Sequence, residues 1–230
     1  MHVKKVAISQ SNYIPWKGYF DIIRQSDIFV IYDEVQYTKN DWRNRNLIKT
    51  PNGIEWLTIP VNQKNLDQKI NETFVSTTNW NKKHWNSILC NYSKSPYFKT
   101  YGTVIKELYE SLETKNLSEI NVLFIKGINR ILGIETEIID SRTLNLTGDK
   151  NNRLIEAVKN LNGTHYISGP AAKSYLNTDS FESESIKVEW MDYSFYSEYP
   201  QLFGEFKHNV SILDLIFNVG PDAIKFLKKS

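Results

Sequence analysis

Two adjacent carboxylates, Asp33 and Glu34, stand directly after an apolar run, Ile28-Phe29-Val30-Ile31-Tyr32. Repulsion between close carboxylates raises one pKa, so such a pair can supply a base for an amine or hydroxyl, or a magnesium ligand. Ten residues on, Trp42-Arg43-Asn44-Arg45-Asn46 sets two guanidinium groups among amides, a set suited to bidentate recognition of phosphate or carboxylate. Gln10, Asn12 and Tyr13 follow the first apolar run, and Gln36 and Tyr37 follow the acidic pair. Trp16, Tyr13, Tyr37 and Trp42 offer flat faces for a ring, and Gly169 would let a ligand approach the backbone. Asp33 and Glu34 are therefore the candidate catalytic residues. Gln10, Asn12, Tyr13, Trp16, Gln36, Tyr37, Trp42, Arg43, Arg45 and Gly169 are the candidate binding residues.

These residues act together only if secondary structure brings them to one edge. Residues 3–9 and 28–32 read as buried strands, and between them Trp16, Tyr19, Phe20 and Ile23 share one helical face. Pro15 is expected in the first turn of that helix, with Ile14 extended before it. Residues 47–49 and 54–61 flank a Pro-Asn-Gly turn and predict an inserted hairpin, and residues 72–76 a short strand. Three helices are expected over residues 80–132: one with Trp85, Leu89 and Tyr92 on a face and Cys90 buried beside it, one at 101–112, and one running from an N-cap at Ser118 to Gly133. Strands at 135–139, 164–168 and 186–190 then alternate with helices at 152–161 and 171–176, and two short helices lie at 210–217 and 222–227. His165, set among apolar neighbours in a strand, reads as a packed histidine. The pattern predicts one α/β domain over residues 1–230. It has an open, mostly parallel sheet of the Rossmann-like, nucleotide-binding kind, a hairpin insertion near 47–61 and a helical insertion near 80–132. Ligands of such sheets bind beyond the carboxyl ends of the strands, where residues 10–13, 33–37, 169–170 and 192–193 would converge.

Composition narrows the function classes. The 28 basic and 26 acidic residues leave a net charge of +2, too small for a broad nucleic-acid footprint, so no nucleic acid is expected as the main substrate. One cysteine excludes an intrachain disulfide or a cysteine-based zinc site, and the four histidines lack metal-ligand spacing, so no metal ligands are assigned. No apolar run nears the ~20 residues that span a bilayer, and no leader pattern opens the chain, so a cytoplasmic protein without membrane insertion is expected.

Residues 10–20, QSNYIPWKGYF, then 32–37, YDEVQY, and 41–46, DWRNRN, resemble the signature of the WbqC-like family. The likeness continues at 56–61, 166–170, 199–203 and 211–220, essentially along the whole chain, with Ser11 where the family is expected to favour proline. The resemblance implies a role in bacterial O-antigen or other surface-polysaccharide biosynthesis, as a transferase moving an acyl or aminoacyl (glycyl) group to a nucleotide-linked amino sugar. The amino sugar and the acyl donor are then the partners. A non-catalytic sugar-nucleotide or partner-binding module in a biosynthetic complex is the alternative. The opening also resembles nucleotidyltransferase-like proteins, and an adenylate-forming variant would use ATP and magnesium. The His-x-x-His of those proteins is absent, because residues 15–20 occupy its place.

Overall fold

The computed structural model describes residues 3–227. The chain opens β1 (Lys5–Ser9), α1 (Lys17–Arg24), β2 (Ile28–Ile31), a hairpin β3 (Arg45–Thr50) and β4 (Gly53–Thr58), then β5 (Val61–Asn62) and β6 (Phe74–Val75). Three helices follow, α2 (Trp80–Tyr92), α3 (Phe98–Glu110) and α4 (Leu117–Leu132). The remainder runs β7 (Glu137–Asp140), α5 (Lys150–Asn160), β8 (His165–Ser168), α6 (Thr178–Ser183), β9 (Lys187–Trp190) and α7 (Ile212–Val219), with a closing 3-10 stretch at Gly220–Phe226.

Five strands form one sheet in the order β7-β2-β1-β8-β9, and every pair is parallel. The fold is thus an open α/β sheet, as the strand spacing predicts. The chain builds outward on one side of β1 through β2 and β7, then returns to β1's other side with β8 and β9. That reversal leaves a crevice at the carboxyl ends of β1 and β8. Alternation along β1 explains the layers: Ala7 joins a core with α1, the helical layer and α7, while Val6 and Ile8 join a second core with α5 and α6.

Several local expectations need correction. Ile14 is not extended but sits at φ +35, costly for a β-branched residue at about 1–3 kcal/mol. The turn is held from outside: Asn46 Nδ2 donates to the carbonyls of both Tyr13 and Ile14, at 3.0 and 2.9 Å. Pro15 lies before the helix, whose N-cap is Trp16. The buried face of α2 is Trp80, His84, Ile88 and Tyr92, so Leu89 and Cys90 are exposed. A polar histidine inside an apolar stripe misleads a pattern based on hydrophobicity. His84 is nevertheless core, bonded to the Tyr13 hydroxyl at 2.8 Å and the Thr58 carbonyl at 3.1 Å, and burial lowers its pKa to about 4. Asn116 rather than Ser118 caps α4. The 171–176 segment is a 3-10 turn at Pro170–Ser174, and α6 was not anticipated because it is short and polar.

Asp214 of α7 is fully buried and accepts from the Tyr92 hydroxyl at 3.0 Å. Burial pushes its pKa up to about 6, against the opposing pull of the Tyr199 and Tyr92 hydroxyls and Lys49. The unfolded value is near 3.9, so the folded state holds this proton more tightly. Asp214 therefore stabilises the fold fully below about pH 4, and the contribution is lost as pH rises through about 6. Asp214→Asn is expected to flatten this part of the profile by on the order of 3 kcal/mol. Urea midpoints of wild type and variant between pH 4 and 7 check it, and parallel curves would refute it.

Candidate functional site

Two cavities lie where β1 leads into the turn before α1. The first, about 290 Å³, is lined by Asn12, Pro15, Trp16, Trp42, Asn46 and Asn209. Its wall depends on local sequence. Gly18 has no side chain, and a Cβ there would come within 2.3 Å of the Trp16 indole, so the ring can fold over the start of α1. Trp16 then meets Tyr193 and Tyr196 edge-on, at 5.3 and 5.8 Å between centroids. Lys17, buried beneath, sits over the rings of Tyr196, Tyr199 and Phe206 and donates to the Ser197 carbonyl at 2.9 Å. Burial lowers its pKa to about 8. On the opposite side Trp42 packs against Trp56, at 5.3 Å.

The second cavity is the crevice at the reversal of strand order, about 400 Å³. Ser9, Gln10 and Ile8 line it from β1 and its exit, Tyr32 from the end of β2, and Tyr166 from β8. Gly148, Lys150 and Arg153 line it from the start of α5, and Tyr175 from the loop before α6.

Arg43 stands between the two. Its guanidinium donates to Gln10 Oε1, on the crevice side, and to Asn12 Oδ1, on the aromatic side. Asp41 lies 3.6 Å from the same group, and Asn121 Nδ2 pins the Arg43 carbonyl at 2.8 Å. With a side chain 17% exposed, the guanidinium is shielded yet reachable. Such a fork holds two side-chain oxygens at a fixed spacing and can exchange them for oxygens of a ligand.

The other anticipated residues divide. Trp16, Trp42 and Asn12 line the aromatic cavity, and Gln10 the crevice. Arg45 does not join Arg43; it stacks on Trp56, 4.0 Å from the ring centroid. Tyr13 is fully buried, its hydroxyl bonded to His84 and, at 2.5 Å, to Tyr109, so it is core rather than a stacking surface. Tyr37 is 2% exposed and lines neither cavity. Gln36 is exposed and donates to the Leu66 carbonyl at 2.7 Å. Gly169 follows β8 with Tyr193 beside it: a Cβ there would lie 3.6 Å from the Tyr193 hydroxyl.

The sequence makes both Asp33 and Glu34 catalytic candidates, and the structure separates them. Neither lines the crevice. Asp33 is 3% exposed, its Oδ1 accepting from the Ser11 amide at 2.8 Å and its Oδ2 from the Ser118 hydroxyl at 2.5 Å. It ties the exits of β1 and β2 to the first turn of α4. Burial raises its pKa, and the Ser11 and Ser118 bonds with Arg43 oppose that rise. Glu34 is half-buried, accepts from the Ser141 hydroxyl at 2.9 Å, and acts electrostatically on Tyr32 at the crevice rim. Lys150, Arg153, Tyr32, Tyr166 and Tyr175, none of them a candidate from the sequence, line the crevice. Gly148 followed by Asp149 was the available signal, a positive-φ glycine and an N-cap announcing a helix end at the crevice.

Among the described residues, no group of three or more His, Cys, Asp or Glu is placed to hold a metal ion, and no helix is long and apolar enough to cross a membrane. No solved structure matches the chain. A Mycobacterium tuberculosis protein described as uncharacterized protein Rv1507c is 45% identical over 227 residues, covering 98% of each chain. The WbqC-like protein family matches residues 10–226, which takes in the strained turn, the Arg43 fork, the aromatic cavity and all the residues named for the crevice except Ile8 and Ser9. The chain belongs to the WbqC-like protein family.

Proposed function

We propose that the protein is a transferase of surface-polysaccharide biosynthesis that moves an acyl or aminoacyl group, such as glycyl, onto the amine of a nucleotide-linked amino sugar. The observation that carries this reading is the Arg43 fork set between an indole- and amide-lined cavity and a polar crevice. Sugars present apolar ring faces and hydroxyl edges, which suit indole walls and carboxamides. The sugar takes the cavity of Trp16, Trp42 and Asn12, and Arg43 meets an anionic oxygen of the sugar nucleotide or donor. In the transfer, the amine lone pair forms a C–N bond to the acyl carbon. The donor's leaving group departs with the electron pair of the broken bond, and the amine proton passes to a carboxylate. Glu34, half-buried beside Ser141 and acting electrostatically on Tyr32 of the crevice wall, takes that proton.

The test is incubation with UDP- and dTDP-linked amino sugars and activated acyl or glycyl donors, with product masses read by mass spectrometry. Glu34→Gln is expected to lower kcat about 100-fold while leaving sugar-nucleotide Kd nearly unchanged. Unchanged kcat would remove Glu34 as the base. Binding of the sugar nucleotide without turnover by any donor would favour a non-catalytic holding module.

A further inference from the structure

We infer that the crevice between β1, β8 and the start of α5 binds the diphosphate of a nucleoside diphosphate through Lys150 and Arg153. This deepens the proposed function, on which its nucleotide assignment rests, by giving the phosphates a place apart from the sugar cavity.

The two cations line the same cavity, three residues apart on the first turn of an 11-residue helix, so their side chains share a face. Neither has an ion-pair partner among the described residues, and the buried Nε of Arg153 has no hydrogen-bond partner. The nearby acids are used elsewhere. Asp149 accepts from the Asn152 amide at 2.9 Å, and Glu156 from the Thr147 amide at 2.7 Å. The cavity is therefore positive at one end, and none of its lining residues is acidic.

Aromatic groups hold the cations in position. Lys150 Nζ sits 3.3 Å from the centroid of the Tyr175 ring, and the Arg153 guanidinium lies 5.6 Å from that of Tyr32. A cation on a ring face keeps its remaining N–H groups available for an anion. Gly148, at φ +81, lets the backbone turn into α5 close to Asn152, where a Cβ would meet the Asn152 side chain at 3.1 Å. The volume of about 400 Å³ suits a nucleotide-sized ligand rather than an isolated ion. Its place at the reversal of strand order is where open parallel sheets take such ligands. Gln10 carries the Arg43 fork on the crevice's near wall, so a diphosphate here leads toward the sugar cavity.

The experiment is calorimetric titration of the full-length protein with UDP, inorganic pyrophosphate, orthophosphate and uridine. The proteins are wild type, Lys150→Ala, Arg153→Ala, the double variant and Lys106→Ala, a control lysine on α3 paired with Glu110. Circular dichroism confirms that each variant is folded. UDP and pyrophosphate are expected to bind wild type and the control alike, each single variant about tenfold more weakly, and the double variant not measurably. Uridine and orthophosphate are expected to bind far more weakly than UDP. Absence of UDP and pyrophosphate binding to wild type, or equal Kd values in the folded double variant, would overturn the site. Equal affinity for orthophosphate and UDP would overturn the diphosphate assignment. UDP binding that depends on Lys150 and Arg153, without sugar modification, leaves this site standing and sinks the transferase reading. Turnover that survives in the double variant does the opposite.

Discussion

Arg43→Ala is expected to weaken binding of the nucleotide-linked amino sugar by about 1.5–3 kcal/mol, the scale of a charge-assisted hydrogen bond lost from a shielded site. In the structure this guanidinium already satisfies two side-chain acceptors, Gln10 and Asn12, one facing each cavity. Truncation removes the ligand's cation and frees both amides to rotate, so the two cavities lose their common boundary. Arg43→Lys is expected to recover only part of the loss, because an ammonium cannot present two parallel N–H groups. Calorimetric Kd values for the three proteins decide it. Equal affinities would make Arg43 a structural brace for the turn after β1. A larger loss in melting temperature than in affinity would lead to the same conclusion.

Asp33→Ala is expected to destabilise the fold by roughly 2–4 kcal/mol, whereas Asp33→Asn is expected to cost little stability and to keep turnover. The carboxylate is enclosed and bonded to the Ser11 amide and the Ser118 hydroxyl. Alanine leaves both donors buried without an acceptor. Asparagine can still accept from the Ser11 amide, and the Ser118 hydroxyl can turn to accept from the new amide. Because burial holds the pKa of Asp33 up, replacing it with a neutral isostere also removes little favourable charge energy. A base would behave in the opposite way, with Asn folding normally and turnover falling about 100-fold. Urea unfolding and kcat, measured on both variants, therefore separate a fastener from a catalyst.

The contrast between Asp33 and Glu34 shows what local pattern can and cannot supply. Extended geometry implies that neighbouring side chains point to opposite sides, and these two do. Which of them is sealed inside depends on α4, more than eighty residues away, whose Ser118 hydroxyl draws Asp33 inward. The same reasoning covers Tyr13. An aromatic beside a predicted ligand edge is a fair stacking candidate until His84 and Tyr109, from two distant helices, close over its hydroxyl. Arg43 and Arg45, two residues apart, read as one clamp in the sequence. Trp56, across the hairpin, holds Arg45 in a separate stack.

The sequence by itself determined the alternation of strands and helices, the inserted hairpin and the three central helices. Each of these follows from apolar periodicity, proline and glycine placement and strand connection length, which act over a few residues. Only the tertiary structure decided which of the candidate residues face a cavity. It sealed Asp33, Tyr13 and Tyr37 inside, left Gln10, Asn12, Trp16, Trp42 and Arg43 at cavity walls or between them, and added Lys150 and Arg153 from a helix more than a hundred residues beyond β1. The physical reason is that burial of a polar side chain depends on whether distant segments bring it hydrogen-bond partners. Serine, histidine and tyrosine supplied them to Asp33 and Tyr13, while among the described residues no acid came to pair with the two cations of the crevice.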